Sequence, residues 1–250
     1  MKTTYKGLPV SEAIEEELIK RGGIKVESGA IMFFNTKGGV NKSSLVEYLV
    51  RYYGFYGAEF DSKGVLAGRC NKEGEEPLVQ YVDVESDFTL PEDKTFAFDM
   101  GGYDDYRLPA LLRQASLLVV PYSVAEPDVE VTEAMIEDLF DLHREGEIDL
   151  ALTPIIFCPT MYDSKLKSRI RKVNESMEKI FNMMPEGIQI DFFPMPYSNA
   201  MVMSRDYNVS IWDLYAEKAP MKKYGVVSTR HYKKDAELYD NFVKKIQEYM

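Results

Sequence analysis

A chain of 250 residues, 45% hydrophobic and 28% charged, has the length and balance of one large globular α/β domain with a buried core. Its net charge of −11 at pH 7 argues against a uniformly basic nucleic-acid binder but leaves room for a local basic patch. No apolar run is long enough to span a bilayer, the first residues lack a signal-peptide layout, and Cys70 and Cys158 stand isolated, so a cytoplasmic location is expected.

In chain order, residues 11–21 read as a short helix. Ser11 serves as N-cap, Ala13, Ile14, Leu18 and Ile19 form an apolar stripe, and Gly22-Gly23 ends it. It precedes the first core strand, so residues 1–29 are expected to be a helical appendage to a domain over 30–250. That appendage packs on the domain edge or contributes to a dimer contact. Strands are expected near 30–34, 55–60, 95–99, 116–121, 151–157 and 188–193. Helices are expected near 43–53, 105–115, 128–143, 164–182 and 232–249. This alternation predicts an α/β fold, a single domain with a mostly parallel twisted sheet and helices on both faces. Ligands in such sheets sit at the carboxyl ends of the strands.

The apolar run Ala30-Ile31-Met32-Phe33-Phe34 leads into Asn35-Thr36-Lys37-Gly38-Gly39-Val40-Asn41-Lys42-Ser43-Ser44. A buried strand, a tight glycine turn and a helix start make a phosphate cradle. The glycines let successive N–H groups face an anion, and the helix N-terminus adds partial positive charge. Lys42 is placed to reach the β- and γ-phosphates, and Ser43 to ligate Mg²⁺. A strand-to-helix turn with chance lysines is the plain structural alternative.

The pattern K-G-G-x-x-K-[ST] resembles the deviant Walker A box of the ParA/MinD family of P-loop ATPases, closest to ParA-like partition proteins. The resemblance implies ATP and Mg²⁺ as cofactors, with residues 37–44 (Lys37, Gly38, Gly39, Val40, Asn41, Lys42, Ser43, Ser44) around the nucleotide. It also implies a nucleotide-sandwiched homodimer in which Lys37 reaches the partner's phosphates. Asn41 stands where the family has glycine. Because the backbone there often needs φ > 0, asparagine is the apt substitute.

Further residues follow from the same resemblance. Thr95-Phe96-Ala97-Phe98-Asp99-Met100-Gly101-Gly102 is similar to the Walker B and switch II segment, making Asp99 a metal-holding acid and Gly101 a γ-phosphate neighbour. Ala58-Glu59-Phe60-Asp61-Ser62-Lys63 occupies the switch I position, with Asp61 the candidate for orienting the attacking water near Mg²⁺. The strand Ala115–Pro121 and the helix start Pro127-Asp128 also resemble the family, as fold evidence. Pro194 and Met195, after the strand at 188–193, are candidate base contacts. Where the family often has an asparagine, this chain has Cys158-Pro159-Thr160.

Lys165, Lys167, Arg169, Arg171 and Lys172 crowd one helix whose buried stripe is expected to be Leu166, Ile170, Val173 and Met177. Five cations on an acidic protein suit nonspecific DNA binding, or form an ordinary solvated face. The C-terminal segment presents Leu238, Phe242, Val243, Ile246 and Met250 on one side, read as an edge-packing core helix rather than a membrane anchor. The expected function is a ParA-like ATPase that dimerises with ATP, hydrolyses it slowly under partner control, and positions DNA of a plasmid or mobile element. The alternatives are a MinD-like positioning ATPase acting on a membrane or protein cargo, and a hydrolysis-weak nucleotide-binding adaptor.

Overall fold

Alternating strands and helices build one seven-stranded sheet in which every pairing is parallel. The computed structural model describes residues 4–5, 8–9, 29–60, 64–83, 95–101, 108–207, 209–216 and 230–250. The strands are β1 (Thr4–Tyr5), β2 (Leu8–Pro9), β3 (Ala30–Phe33), β4 (Tyr56–Glu59), β5 (Val79–Tyr81), β6 (Phe96–Asp99), β7 (Ala115–Ser123), β8 (Ile155–Thr160) and β9 (Ile190–Phe192). The helices are α1 (Lys42–Tyr52), α2 (Val65–Cys70), α3 (Leu108–Leu112), α4 (Glu126–Arg144), α5 (Lys167–Met183), α6 (Asn199–Tyr207), α7 (Ile211–Ala216) and α8 (Arg230–Gln247). The large sheet runs β5-β4-β6-β3-β7-β8-β9, and β1 and β2 form a separate antiparallel pair. The helix expected over 11–21 lies outside the described residues, as do Asp61, Ser62, Lys63 and Gly102.

Strand side chains alternate between two cores, as the period of two requires. Ala30, Met32, Phe96, Phe98, Leu118, Val120, Ile155 and Phe157 face the layer of α3, α4 and α5. Ile31, Phe33, Ala97, Leu117, Val119, Ile156 and Cys158 face the layer of α1, α2, α6, α7 and α8. Both faces of the sheet are covered, which is why its strands read as near-continuous apolar runs. Gly57 lets α1 lie close on the sheet, since a Cβ there would stand 2.7 Å from a Val79 methyl and 3.1 Å from Val50.

Three expectations shift. The strand expected at 151–157 begins at Ile155. Asp149 folds the preceding residues into a turn by accepting the Ala151 and Leu152 N–H groups, leaving Leu152 79% exposed. On α5 the buried positions are Val173, Ser176 and Ile180, while Leu166 and Ile170 are exposed because the helix projects beyond α4 at its amino end. On α8 the buried face is Tyr232, Ala236, Tyr239, Phe242, Val243 and Ile246, and Met250 is exposed. The edge strand β5, not expected from sequence, is held by Asn71. Its Oδ1 accepts the Leu78 and Val79 N–H groups at 2.9 and 3.0 Å, and its Nδ2 donates to Val79 O at 2.7 Å.

Candidate nucleotide-binding site

The central strand β3 delivers the chain into the glycine turn, flanked by β6 and β7. Asn35 anchors the entry. Its Nδ2 donates to Pro121 O at 2.9 Å and to Thr132 Oγ1 at 3.2 Å, while its Oδ1 accepts the Lys37 N–H at 2.7 Å. The other side of the turn is braced by Thr160 at the end of β8, whose hydroxyl is shared between Val40 O at 3.0 Å and Tyr122 O at 3.2 Å. The loop is therefore fixed by β7, α4 and β8 before α1 begins.

Gly39 and Asn41 both take left-handed backbone, with φ of +76° and +80°. Asn41 is the N-cap residue of α1, and no side chain caps that helix end. The amides of the first helical turn are thus left to an external acceptor, where the helix partial charge favours an anion. Gly38 and Gly39 are exposed at the tip, Val40 is buried, and Ser43 and Ser44 stand in the first turn of α1. The Lys42 ammonium folds into the loop, donating to Asn35 O at 2.8 Å and Lys37 O at 3.1 Å.

Lys37 points elsewhere. Its ammonium lies 3.1 Å from Asp128 Oδ1, and its side chain is 42% exposed. The Ser123 hydroxyl and the Lys37 ammonium hold the Asp128 carboxyl below its usual value. Asp128 also supplies the carbonyl that accepts the Thr132 hydroxyl at 2.9 Å, so the first turns of α4 and the glycine turn form one connected network.

Asp99 ends β6, is buried, and pairs in register with Phe33, the last residue of β3. Gly101 follows it and is also buried. Among the described residues no group of three or more His, Cys, Asp or Glu could hold a metal. The donor set instead suits Mg²⁺, which takes one or two protein oxygens and fills its octahedron with water and phosphate. Glu59 is not part of that set. Its carboxylate is buried and accepts the Leu66 and Ala67 N–H groups at 2.9 and 2.8 Å, capping α2.

A cavity of about 190 Å³ opens beside the loop between α1 and α6, lined by Asn41, Ser44, Glu47, Met161, Pro196 and Tyr197 among others. Met195, expected to touch a base, is buried in the core, bridged to Thr160. Pro194 is half-buried and does not line the cavity. The lining residues Pro196, Tyr197 and Ser198 come two positions later, an offset set by the Thr160–Met195 bridge that sequence patterning does not reveal. Asn35, Thr160 and Asp128 contact the glycine turn in ways that sequence reasoning does not assign to them. Asn35 flanks the glycine motif, which is the one local signal among them.

The five cations over 165–172, four of them on α5, do not form one set. Arg171 pairs with Glu175 at 2.9 Å and Lys172 with Glu126 at 3.7 Å. Lys165, Lys167 and Arg169 are exposed and make no ion pair with the described residues.

No family model matches this chain, and no curated protein matches its sequence. Solved structures do match its fold. McdA from Cyanothece superposes with a TM-score of 0.56 at 12% identity, over 76% of this chain and 94% of that one. A McdA variant in complex with ATP gives 0.57 at 11% identity, over 86% and 97%. The pNOB8 ParA bound to nonspecific DNA gives 0.53 at 10% identity, over 87% and 99%. With all seven strands of the large sheet parallel in the order found here and a glycine turn after the central one, the chain has the fold of the ParA/MinD type of P-loop ATPases.

Proposed function

We propose that this chain is a ParA-like ATPase that binds ATP with Mg²⁺, dimerises, and retains DNA on the dimer. The observation that carries the reading is the pair of lysines on one uncapped glycine turn: Lys42 drawn into the loop and Lys37 turned out of it. Lys42 and the amides over 38–44 would hold the phosphates, and Ser43 and Asp99 would hold the metal. Bound MgATP supplies a phosphoanhydride bond whose cleavage resets the dimer. Asp61 is the candidate for orienting water. The buried anchors Asn35 and Thr160 keep the loop amides aimed at the anion, which lowers the reorganisation needed on binding. McdA with ATP and ParA with nonspecific DNA, both of this fold, support the two halves of the reading.

A protein cargo is the second reading. Two of the five cations over 165–172 are already paired with Glu175 and Glu126, and the chain is acidic overall. One experiment separates the readings: sedimentation with and without ATP and Mg²⁺, followed by retention of the sedimented species on a DNA column at about 50 mM salt. An ATP-dependent dimer held by DNA supports the first. A dimer that passes through leaves the cargo reading, and a monomer under all conditions removes both.

A further inference from the structure

The strand β9 is the last in the sheet order, and it bonds to β8 through alternate residues only. Ile155 N–H donates to Gln189 O at 2.9 Å, Phe193 N–H donates to Phe157 O at 2.9 Å, and Met195 N–H donates to Pro159 O at 2.8 Å. Asp191, in register with Ile156, belongs to the same alternation. The N–H and C=O groups of Ile190 and Phe192 therefore point out of the sheet, as a parallel ladder requires. No described residue bonds to them. At the opposite border the backbone of Val79 is already bonded to the Asn71 side chain.

Above this open edge runs an uncovered flank of α5. Lys172 and Lys179 tie one flank of the helix to Glu126 and Glu133 of α4, while Val173, Ser176 and Ile180 face the core. At about 100° of turn per residue, Leu166, Ile170, Met177 and Phe181 fall on the flank away from α4. Because α5 joins β8 to β9, that flank lies on the border side. Leu166 is 50% exposed, Ile170 41% and Phe181 61%. Beneath it Ile190 and Phe192 are half-buried, with the Phe192 ring stacked on Phe157 at 5.7 Å. Free backbone groups and uncovered apolar side chains thus coincide along one border, which marks an interaction surface.

The geometry and the charges name the occupant. A two-fold axis through Asp191, perpendicular to the sheet, sets Ile190 of one copy opposite Phe192 of the other. Residues so opposed exchange both of their hydrogen bonds in an antiparallel ladder, so every outward group of both residues finds a partner. Pro194 has no N–H to extend the ladder. The same axis runs the two α5 helices antiparallel. Lys167, Arg169 and Arg171 crowd the amino end of α5, and Glu175, Glu178 and Glu186 stand toward or just beyond its carboxyl end, all of them exposed. Basic end then meets acidic end, which overcomes the mutual repulsion of two acidic chains locally.

We propose that the β9 border, with the outer flank of α5 above it, docks a second copy of this chain edge to edge about a two-fold axis. The contact forms without nucleotide and does not depend on the nucleotide reading. It is small, so it fills at high protein concentration.

The test is analytical ultracentrifugation of the nucleotide-free full chain from about 1 to about 200 μM, with amide exchange followed by NMR at both ends of that range. The wild type should pass from monomer to dimer. Exchange at Ile190 and Phe192 should slow several-fold in the dimer, while the Asp191 amide, which faces β8, stays constant. Phe181→Glu should remain monomeric with an unchanged melting temperature, and Phe181→Leu should dimerise as the wild type does. A wild type that is monomeric throughout overturns the proposal, as does association that survives Phe181→Glu or leaves Ile190 and Phe192 exchanging at the monomer rate. Assemblies that grow beyond the dimer overturn it too, because a two-fold contact closes on itself. A chain that is monomeric without nucleotide yet dimerises with ATP removes this contact and leaves the nucleotide reading standing.

Discussion

The Lys37 ammonium is parked on Asp128, 3.1 Å from its carboxylate, although the two residues belong to different crossovers of the sheet. The other lysine of the same turn folds back onto its own loop. One lysine is thus positioned for an intramolecular anion, and the other is restrained by a surface carboxylate it can leave. An exposed ion pair of this kind contributes little to stability, so releasing it costs little. Its energy suits a switch better than a brace.

Asp128→Asn is therefore expected to lower the protein concentration at which ATP produces a dimer, by a few-fold, and Lys37→Ala to abolish dimerisation while leaving ATP binding intact. Analytical ultracentrifugation with ATP and Mg²⁺ reads both. The folded pKa of Asp128 is depressed, so the pair is intact above the unfolded carboxylate value and lost only as pH falls through the folded one. The difference between wild type and Asp128→Asn should then be flat over roughly pH 5 to 8. A difference that changes sign within that window would remove the latch.

Lys42→Ala should abolish binding of both ATP and tripolyphosphate, because the turn loses its internal cation and the two carbonyls it bridges lose their donor. Calorimetry showing unchanged affinity would show that the helix amides alone hold the anion.

Met161→Gly and Asn41→Gly separate two left-handed positions. A methionine at φ +58° is strained by about 1–2 kcal/mol, offset by about 0.5–1 kcal/mol of glycine backbone entropy, so Met161→Gly should raise Tm by a few degrees. Asparagine tolerates this region better, so Asn41→Gly should leave Tm nearly unchanged, retain ATP binding and, with its remaining strain relieved, keep or raise ATP turnover. A thermal melt in which Met161→Gly lowers Tm would show that the side chain, and not the backbone, dominates at that site.

Glu47→Gln should be the most damaging of the proposed changes to stability. Glu47 is buried between Arg51 and Arg69, and removing its charge strands two guanidinium groups. Breaking a buried pair costs on the order of 3 kcal/mol, reduced here because Arg69 is one-third exposed. Urea denaturation measures it. A loss below about 1 kcal/mol would mean the arginines relax to water.

Lys167→Glu with Arg169→Glu should weaken DNA retention and flatten its salt dependence by about 0.9 in the log–log slope for each phosphate that is no longer neutralised. Arg171→Glu should do less, since Arg171 is already paired with Glu175. Equal effects from all three changes would indicate a general charge effect and no defined surface.

The parts of this fold legible in the sequence are those where one local pattern decides. Ala30–Phe34 followed by paired glycines could only be a buried strand entering a turn, and Asn41 in place of glycine announced its own φ. Pro127-Asp128 announced a helix start. That Asp128 would meet Lys37 was not legible, because the order of the strands decides it. Val79–Tyr81, α6 and α7 were missed because each is short, three to nine residues, so that no hydrophobic period can develop along it. Leu166 and Ile170 misled because helical spacing reports a face, and only the length of the neighbouring helix says whether that face is covered.

Asn71 has a bearing on how copies of this chain can associate. By occupying both the N–H and the C=O of Val79, it withdraws half of the outward hydrogen-bonding groups of a three-residue border strand. An incoming strand at Val79 would have to displace the Asn71 side chain from both backbone groups before a ladder could form. Asn71 therefore guards that part of the border against sideways growth of the sheet from one molecule into the next.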